Sequence, residues 1–334
     1  MSVKSFRRLC LVATLFTLCV IWLGAWTRLG DAGLGCPDWP GCYGHLTVGQ
    51  AVQNADAVNA AYPERPLEPE KALKEMVHRY FAGTLGLLIL AIAVFAWLNR
   101  RDPVQPVRLP AALLIIVGLQ GLLGMWTVTL LLKPLIVTAH LVGGLTTASL
   151  LWWMSLDANG LERPASERGL RRFAVAGLLV LAVQILLGGW TSTNYAAVAC
   201  PDFPTCQASY WPQMDFKDAF VLWRGLGIDY EGGVLDHPAR VAIHYTHRIW
   251  AVVTAVVLGL LAWRAARGGS SSAVRGAGVA VGVVLATQLA VGPLMVVRAF
   301  PLSLATAHNT VAALLLLAVV ALLRYLYPPR NPRA

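Results

Sequence analysis

Residues 9–42 read LCLVATLFTLCVIWLGAWTRLGDAGLGCPDWPGC, and residues 173–206 read FAVAGLLVLAVQILLGGWTSTNYAAVACPDFPTC. Each begins with an apolar run long enough to cross a bilayer, passes through LGAWT or LGGWT, and ends on two cysteines with five residues between them. Trp26 falls on Trp190, Cys36 on Cys200 and Cys42 on Cys206 at an offset of 164 residues. The register continues downstream, with Gln120 on Gln288 and His140 on His308 at 168, and His78 on His247 at 169. An offset this steady marks a duplicated unit. A weaker echo, QGLLGMWT at 120–127 against QILLGGWT at 184–191, divides each unit into helical hairpins whose small residues let helices pack closely. The basic stretch KSFRR ahead of the first run has the look of a signal peptide. A removable leader has no reason to match an interior helix, so the first run is read as a retained span.

Composition decides the solvent. At 57% apolar and 13% charged residues, with a mean hydropathy of +0.61, the 334-residue chain has more apolar surface than a water-soluble core can hide. Eight runs approach or exceed the ~20 residues a bilayer requires: Leu9–Trp26, Tyr80–Leu98, Leu109–Leu132, Leu135–Met154, Phe173–Trp190, Val241–Trp263, Ala277–Val297 and Leu302–Leu323. The expected fold is an all-α integral membrane protein of eight transmembrane helices. Because each unit holds four crossings, both enter the membrane in the same direction, as tandem four-helix bundles related by a pseudo-two-fold axis along the membrane normal. The halves are 1–156 and 173–334, with a linker at 157–172.

Charge orients the bundle. The N-terminus, the segments after the even-numbered spans and the C-terminus carry Lys4, Arg7, Arg8, Arg100, Arg101, Arg108, Arg163, Arg168, Arg171, Arg172, Arg264, Arg267, Arg275, Arg324, Arg330 and Arg333. These are 16 of the 27 basic residues, against only Asp102, Asp157, Glu162 and Glu167 among the 17 acidic ones. Basic loops stay on the cytoplasmic side, so both termini are expected inside and both cysteine pairs outside. The net charge of +10 is thereby accounted for by topology and calls for no nucleic acid.

Of seven histidines, His78, His140, His247 and His308 stand at the entry of the four even-numbered spans. His140 and His308 lie ~8 to 9 Å below their helix starts at 1.5 Å per residue, and His78 and His247 reach a similar depth if their helices begin about a turn earlier. Two facing helices that each offer an imidazole at one depth form the arrangement that grips a haem iron on both axial faces. A structural zinc would need four close nitrogen or sulfur ligands, and each half offers two. His45, His237 and His244 fall outside the pattern and default to loop or helix-end positions. Arg79 and Arg248 directly follow two of the four histidines; a guanidinium there either clamps a carboxylate of the bound group or snorkels at the interface. Glu75 stands three residues before His78, on the same helix face, whereas His244 holds the corresponding place before His247. It is either an interfacial acid paired with Lys71, Lys74 or Arg79, or a reactive carboxylate present in one half only.

With CPDWPGC, EMVHR, TAH, CPDFPTC, the stretch FVLWRGLGIDYEGGVLDHPARVAIHYTHR at 220–248 and ATAHNT, the chain resembles the haem A synthase family along nearly its whole length. The resemblance implies an oxidoreductase that converts a ring methyl of haem O to the formyl of haem A by successive hydroxylations, for terminal oxidase assembly. It implies that His78 and His140 face haem O or haem A, that His247 and His308 hold a resident haem b, and that Glu75 is catalytic. The setting is the bacterial inner membrane, with an electron acceptor the sequence does not identify. A haem O-producing farnesyltransferase and a second copy of the chain are further expected partners.

Two readings short of this enzyme use the same four histidines: a dihaem b-type electron carrier, and a haem-binding chaperone without chemistry. The unmatched Glu75 favours the enzyme. Cys36 with Cys42 and Cys200 with Cys206 are expected as disulfides in an oxidising compartment, as structural staples or as redox pairs beside the haems. Cys10 and Cys19, inside the first span, read as inert apolar thiols.

Overall fold

The computed structural model describes residues 3–158, 161 and 164–327. Glu162, Arg163, Arg330 and Arg333, used above for the charge asymmetry, lie outside the described residues, as does part of the 157–172 linker. Among the described residues, eight helices are long and apolar enough to cross a membrane: α1 Val3–Leu29, α2 Pro69–Leu98, α3 Arg108–Thr129, α4 Pro134–Ser155, α5 Arg168–Thr193, α6 His237–Gly268, α7 Ser272–Val297 and α8 Leu302–Leu326. The loops between them add three short α-helices, Val48–Gln53, Ala55–Ala61 and Phe216–Ala219.

Seven of the eight expected runs lie wholly in one helix; the third, Leu109–Leu132, overruns α3 into the turn before α4, and two of the histidine-bearing helices start earlier than expected. α2 opens at Pro69 and α6 at His237, so His78 and His247 sit nine and ten residues into their helices, not about one turn. The cause is proline. Pro69 and Pro134 occupy the first turns of α2 and α4, Pro238 that of α6, and Pro301 caps α8. A ring that fixes φ and donates no hydrogen bond suits a position whose N–H would be unpaired anyway. The early turns of α2 and α6 are too polar to register as membrane-spanning, and they carry Glu75 and His244 out to the loops.

The turns repeat as well as the helices. Leu131 and Leu132, between α3 and α4, take φ of +51° and +59°; Ala299 and Phe300, between α7 and α8, take +57° and +59°. Two successive non-glycine residues in the left-handed region are uncommon, and these stand 168 residues apart, the offset already read from the glutamines and histidines.

In the N-terminal half α1 packs on α2 and α4, and α3 packs on α2 and α4. The C-terminal half closes the same ring from α5, α6, α7 and α8. Between halves the contacts run α1 to α8, α4 to α5 and α4 to α8. The two largest buried clusters draw on one end of the bundle, with Phe6, Cys10, Ile92, Leu113 and Leu151 in one half and Ala174, Leu261, Val281 and Leu322 in the other, and smaller ones around Cys36, Trp190, Val128 and Cys200 pack the disulfide-loop end. The four histidines lie toward the opposite end, each close against a glycine of a neighbouring helix.

Candidate functional site

Each histidine rests on a glycine of the preceding helix of its hairpin. A Cβ built at Gly24 of α1 would stand 2.9 Å from Cε1 of His78, and one at Gly188 of α5 would stand 3.1 Å from Cε1 of His247. The corresponding approaches are 3.5 Å from Gly124 to His140 and 3.3 Å from Gly292 to His308. Gly24 and Gly188 are 164 residues apart, Gly124 and Gly292 168. Four hairpins thus use one device: a helix interior glycine, costly to helix stability in itself, clears a seat for an imidazole from the next helix.

These donor sets fit haem. Among the described residues no three His, Cys, Asp or Glu side chains gather as a tetrahedral metal cage would require. Two imidazoles per half suit an iron whose other four positions a porphyrin fills. Nδ1 of His78 and of His140 is buried without a hydrogen-bond partner, a cost that a ligand or a rearranged proton would remove.

Two disulfide-closed loops are hydrogen-bonded to the histidine-bearing helices α2 and α6. Cys36 is bonded to Cys42 and Cys200 to Cys206, while Cys10 is a buried free thiol and Cys19 an exposed one. Each loop is shaped by an aspartate that the cysteine spacing did not single out. Asp38 accepts from the N–H groups of Tyr43 and Gly44 at 2.6 and 2.7 Å, and Asp202 from those of Gln207 and Ala208 at 2.6 and 2.9 Å. The Thr205 hydroxyl and these N–H groups hold the Asp202 carboxyl below its ordinary value. The signal was present in the sequence as the identical Asp after Cys-Pro in both copies.

The arginines beside the histidines fasten these loops to the bundle. Arg79 donates to the carbonyls of Asp38, at 3.0 Å, and of Gly41. Arg248 donates to the carbonyls of Thr205 at 2.8 Å and Cys200 at 3.0 Å. Glu75, 4% exposed, completes the N-terminal arrangement: it accepts the Cys36 N–H at 2.9 Å and faces the Arg79 guanidinium at 2.5 Å. Of the three cations weighed for it, Arg79 is the partner. In the other half Arg248 Nε donates to His244 Nε2 at 3.2 Å. His244 is therefore neither in a loop nor at a helix end; it is 4% exposed inside α6, in the place of Glu75. His45 lies just beyond the first disulfide loop, bridged through its backbone to Cys42, and His237 is the first residue of α6.

Sequence reasoning missed the contacts that join the halves. Arg65 pairs with Asp229 at 2.5 Å and Glu231 at 2.9 Å, and Tyr230 N–H donates to the Leu131 carbonyl at 3.0 Å. Lys133, 2% exposed, donates to the Gly225 carbonyl with its ammonium 3.7 Å from the centre of the Trp223 ring. The segment 220–236 of the second half thus crosses onto the turn that leads into α4 and His140. No spacing rule announces such a crossover.

Comparison with known proteins agrees with this architecture. The family model COX15-CtaA, described as cytochrome oxidase assembly protein, matches residues 7–320. A Shewanella oneidensis protein named "Heme A synthase" is 43% identical over 320 residues, covering 95% of each chain. Proteins of the same name from Caulobacter vibrioides and Rhizorhabdus wittichii are 32% and 28% identical, over 92% and 93% of this chain and 92% and 90% of theirs.

Proposed function

The chain belongs to the COX15-CtaA family of cytochrome oxidase assembly proteins, and on that premise we propose that it is a haem A synthase, an oxidoreductase that converts the ring methyl of haem O to the formyl of haem A. The observation that carries this reading is the pair of two-histidine pockets, alike in their glycine seats and unlike in one carboxylate. A symmetric electron carrier has no use for Glu75 in one half and His244 in the other.

In this reading His247 and His308 hold haem b, which supplies one-electron chemistry when bound. His78 and His140 hold haem O, the substrate, within one helical turn of Glu75. Arg79 and Arg248 fasten the disulfide loops to the histidine-bearing helices, and in this reading they also bind haem carboxylates. The contacts between halves support the pseudo-two-fold arrangement: exchanging α1 with α5 and α4 with α8 turns the α1–α8 contact into α5–α4 and leaves α4–α8 unchanged. Haem O comes from a farnesyltransferase, and the electrons removed from the methyl pass to an external acceptor.

The expected test result is that a host making haem O but no haem A acquires haem A when it expresses this chain, and acquires none from the His78→Ala, His140→Ala double variant. Extracted haem O alone in both cases would contradict the assignment.

The disulfide loops are assigned to the outer face of a bacterial inner membrane, with both termini cytoplasmic. In a background lacking Cys19, a cysteine placed at the exposed Leu46 should react with a membrane-impermeant maleimide in intact spheroplasts. One placed at Val104 should react only after permeabilisation. The opposite pattern overturns the orientation.

A further inference from the structure

The assignment of haem b to one pocket and haem O to the other leaves a question of retention: one group must stay and the other must leave once per turnover. Resting on that assignment, we propose that glutamine amides hold the C-terminal histidine rings in place, and that the N-terminal pocket is built without this hold so that its haem can exchange.

The residue four before each glycine seat lies on the same helix face, one turn away. At the four positions it is Val20, Gln120, Gln184 and Gln288. In the C-terminal half both amides are on the rings. Gln184 Nε2 stands 3.2 Å from Nδ1 and 3.4 Å from Nε2 of His247, and also 3.4 Å from the His247 carbonyl. Gln288 Nε2 stands 3.2 Å from both ring nitrogens of His308. Near-equal distances to the two nitrogens put the amide against the ring, not on one lone pair. Each imidazole is therefore bounded by an amide and by a glycine seat, which restrict its rotation. A ligand held in its binding orientation has less freedom left to lose when the metal arrives.

The N-terminal half departs at both positions. Val20 has no amide to offer. Gln120 has one, but turns it away from His140 and over Gly143 of α4: a Cβ at Gly143 would fall 1.6 Å from Gln120 Nε2, so the amide can lie there only because residue 143 is glycine. The repeat partner of Gly143, 168 residues on, is Val311, whose branched side chain denies Gln288 the same retreat. Gln120 and Gly143 also line a cavity of about 410 Å³ between α3 and α4, which gives the amide its room.

The test is haem release, measured without turnover. Purified protein carrying its haems is mixed with excess apoglobin as a scavenger, and the haem b and the haem O or haem A left on the protein are separated by chromatography over time. Gln184→Leu and Gln288→Leu should each speed release of haem b by ~10- to 100-fold, the range for loss of a partner that orients a metal ligand, with haem O release unchanged. Gly143→Val should slow haem O release by about 10-fold by pushing the amide onto His140. The three nearest atoms a Cβ would meet there all belong to the Gln120 amide, so the valine is accommodated by moving that side chain. Adding Gln120→Leu to Gly143→Val should restore the parental rate, since the amide is then gone.

Parental haem b release in both glutamine variants overturns the proposal, and so does parental haem O release in Gly143→Val. If the leucine variants fail to assemble, Gly143→Val decides alone. His247→Ala separates the two levels. If it loses haem b while the glutamine variants release at the parental rate, only the amide hold is wrong; if it keeps haem b, the pocket assignment itself falls.

Discussion

Replacing His247 or His308 by alanine is expected to strip haem b from the purified protein while the N-terminal pocket still takes up haem O. Both rings sit in the packed C-terminal bundle, each against a glycine of the preceding helix. Loss of an axial ligand should cost at least the ~10- to 100-fold that loss of an orienting partner costs, and the low-spin bis-histidine absorption should fall with it. The helices themselves should survive. The methyl of alanine removes bulk from a site that already tolerates glycine opposite it, and the clusters around Leu261, Val281 and Leu322 lie toward the other end of the bundle. Parental haem b content and an unchanged spectrum in both variants would show that these imidazoles are not iron ligands.

Glu75→Gln should act in the opposite way, leaving haem content intact and stopping the chemistry. The carboxylate has a structural duty as well as a place by the N-terminal pocket: it accepts the Cys36 N–H and pairs with Arg79. Glutamine keeps the acceptor oxygen for Cys36 and loses the charge. Arg79 retains its loop carbonyls, so the disulfide loop should stay seated. Oxidising a methyl group takes protons away and builds positive charge as electrons leave, and a carboxylate one turn from His78 can serve either need. The expected rate loss is ~100- to 10,000-fold, the usual contribution of a positioned acid or base, with haem O or a hydroxylated intermediate accumulating in place of haem A. Normal haem A production would return Glu75 to the role of a loop anchor, and loss of every haem would identify that anchor as indispensable to the pocket.

Most of the fold could be read from the chain because lipid imposes a simple grammar. A helix is the only way to satisfy a single crossing's backbone, so eight apolar runs meant eight helices, and the offsets of 164 and 168 residues placed the histidines in equivalent hairpins. What escaped lay at the borders of that grammar. The first turns of α2 and α6 are polar, and hydropathy passes over them, although Pro69 and Pro238 mark where they begin. His244 looked like an interface histidine because the helix that buries it was read as starting only three residues before it. The glycine seats were read only as small residues that let helices pack closely, until an imidazole was found on each. The crossover of 220–236 onto the N-terminal half depends on Arg65, Lys133 and Tyr230 meeting partners 90 or more residues away, and no local pattern encodes that.

The disulfide loops show the same division. Their cysteines were evident from spacing and compartment, whereas the way they communicate with the pockets was not. Arg79 and Arg248 read equally well as carboxylate clamps or interfacial anchors; the structure gives both a shared first task, holding loop carbonyls directly above a histidine.

Identification of the tetrapyrroles bound to the purified protein tests the central claim most directly, because the claim is that two similar pockets hold two different haems. Chromatography of the acid-acetone extract should yield haem b together with haem O or haem A, with haem b alone lost on His308→Ala and haem O or haem A alone lost on His140→Ala. Haem b as the only pigment, in amounts that fall equally with either substitution, would contradict the account and identify a symmetric electron carrier.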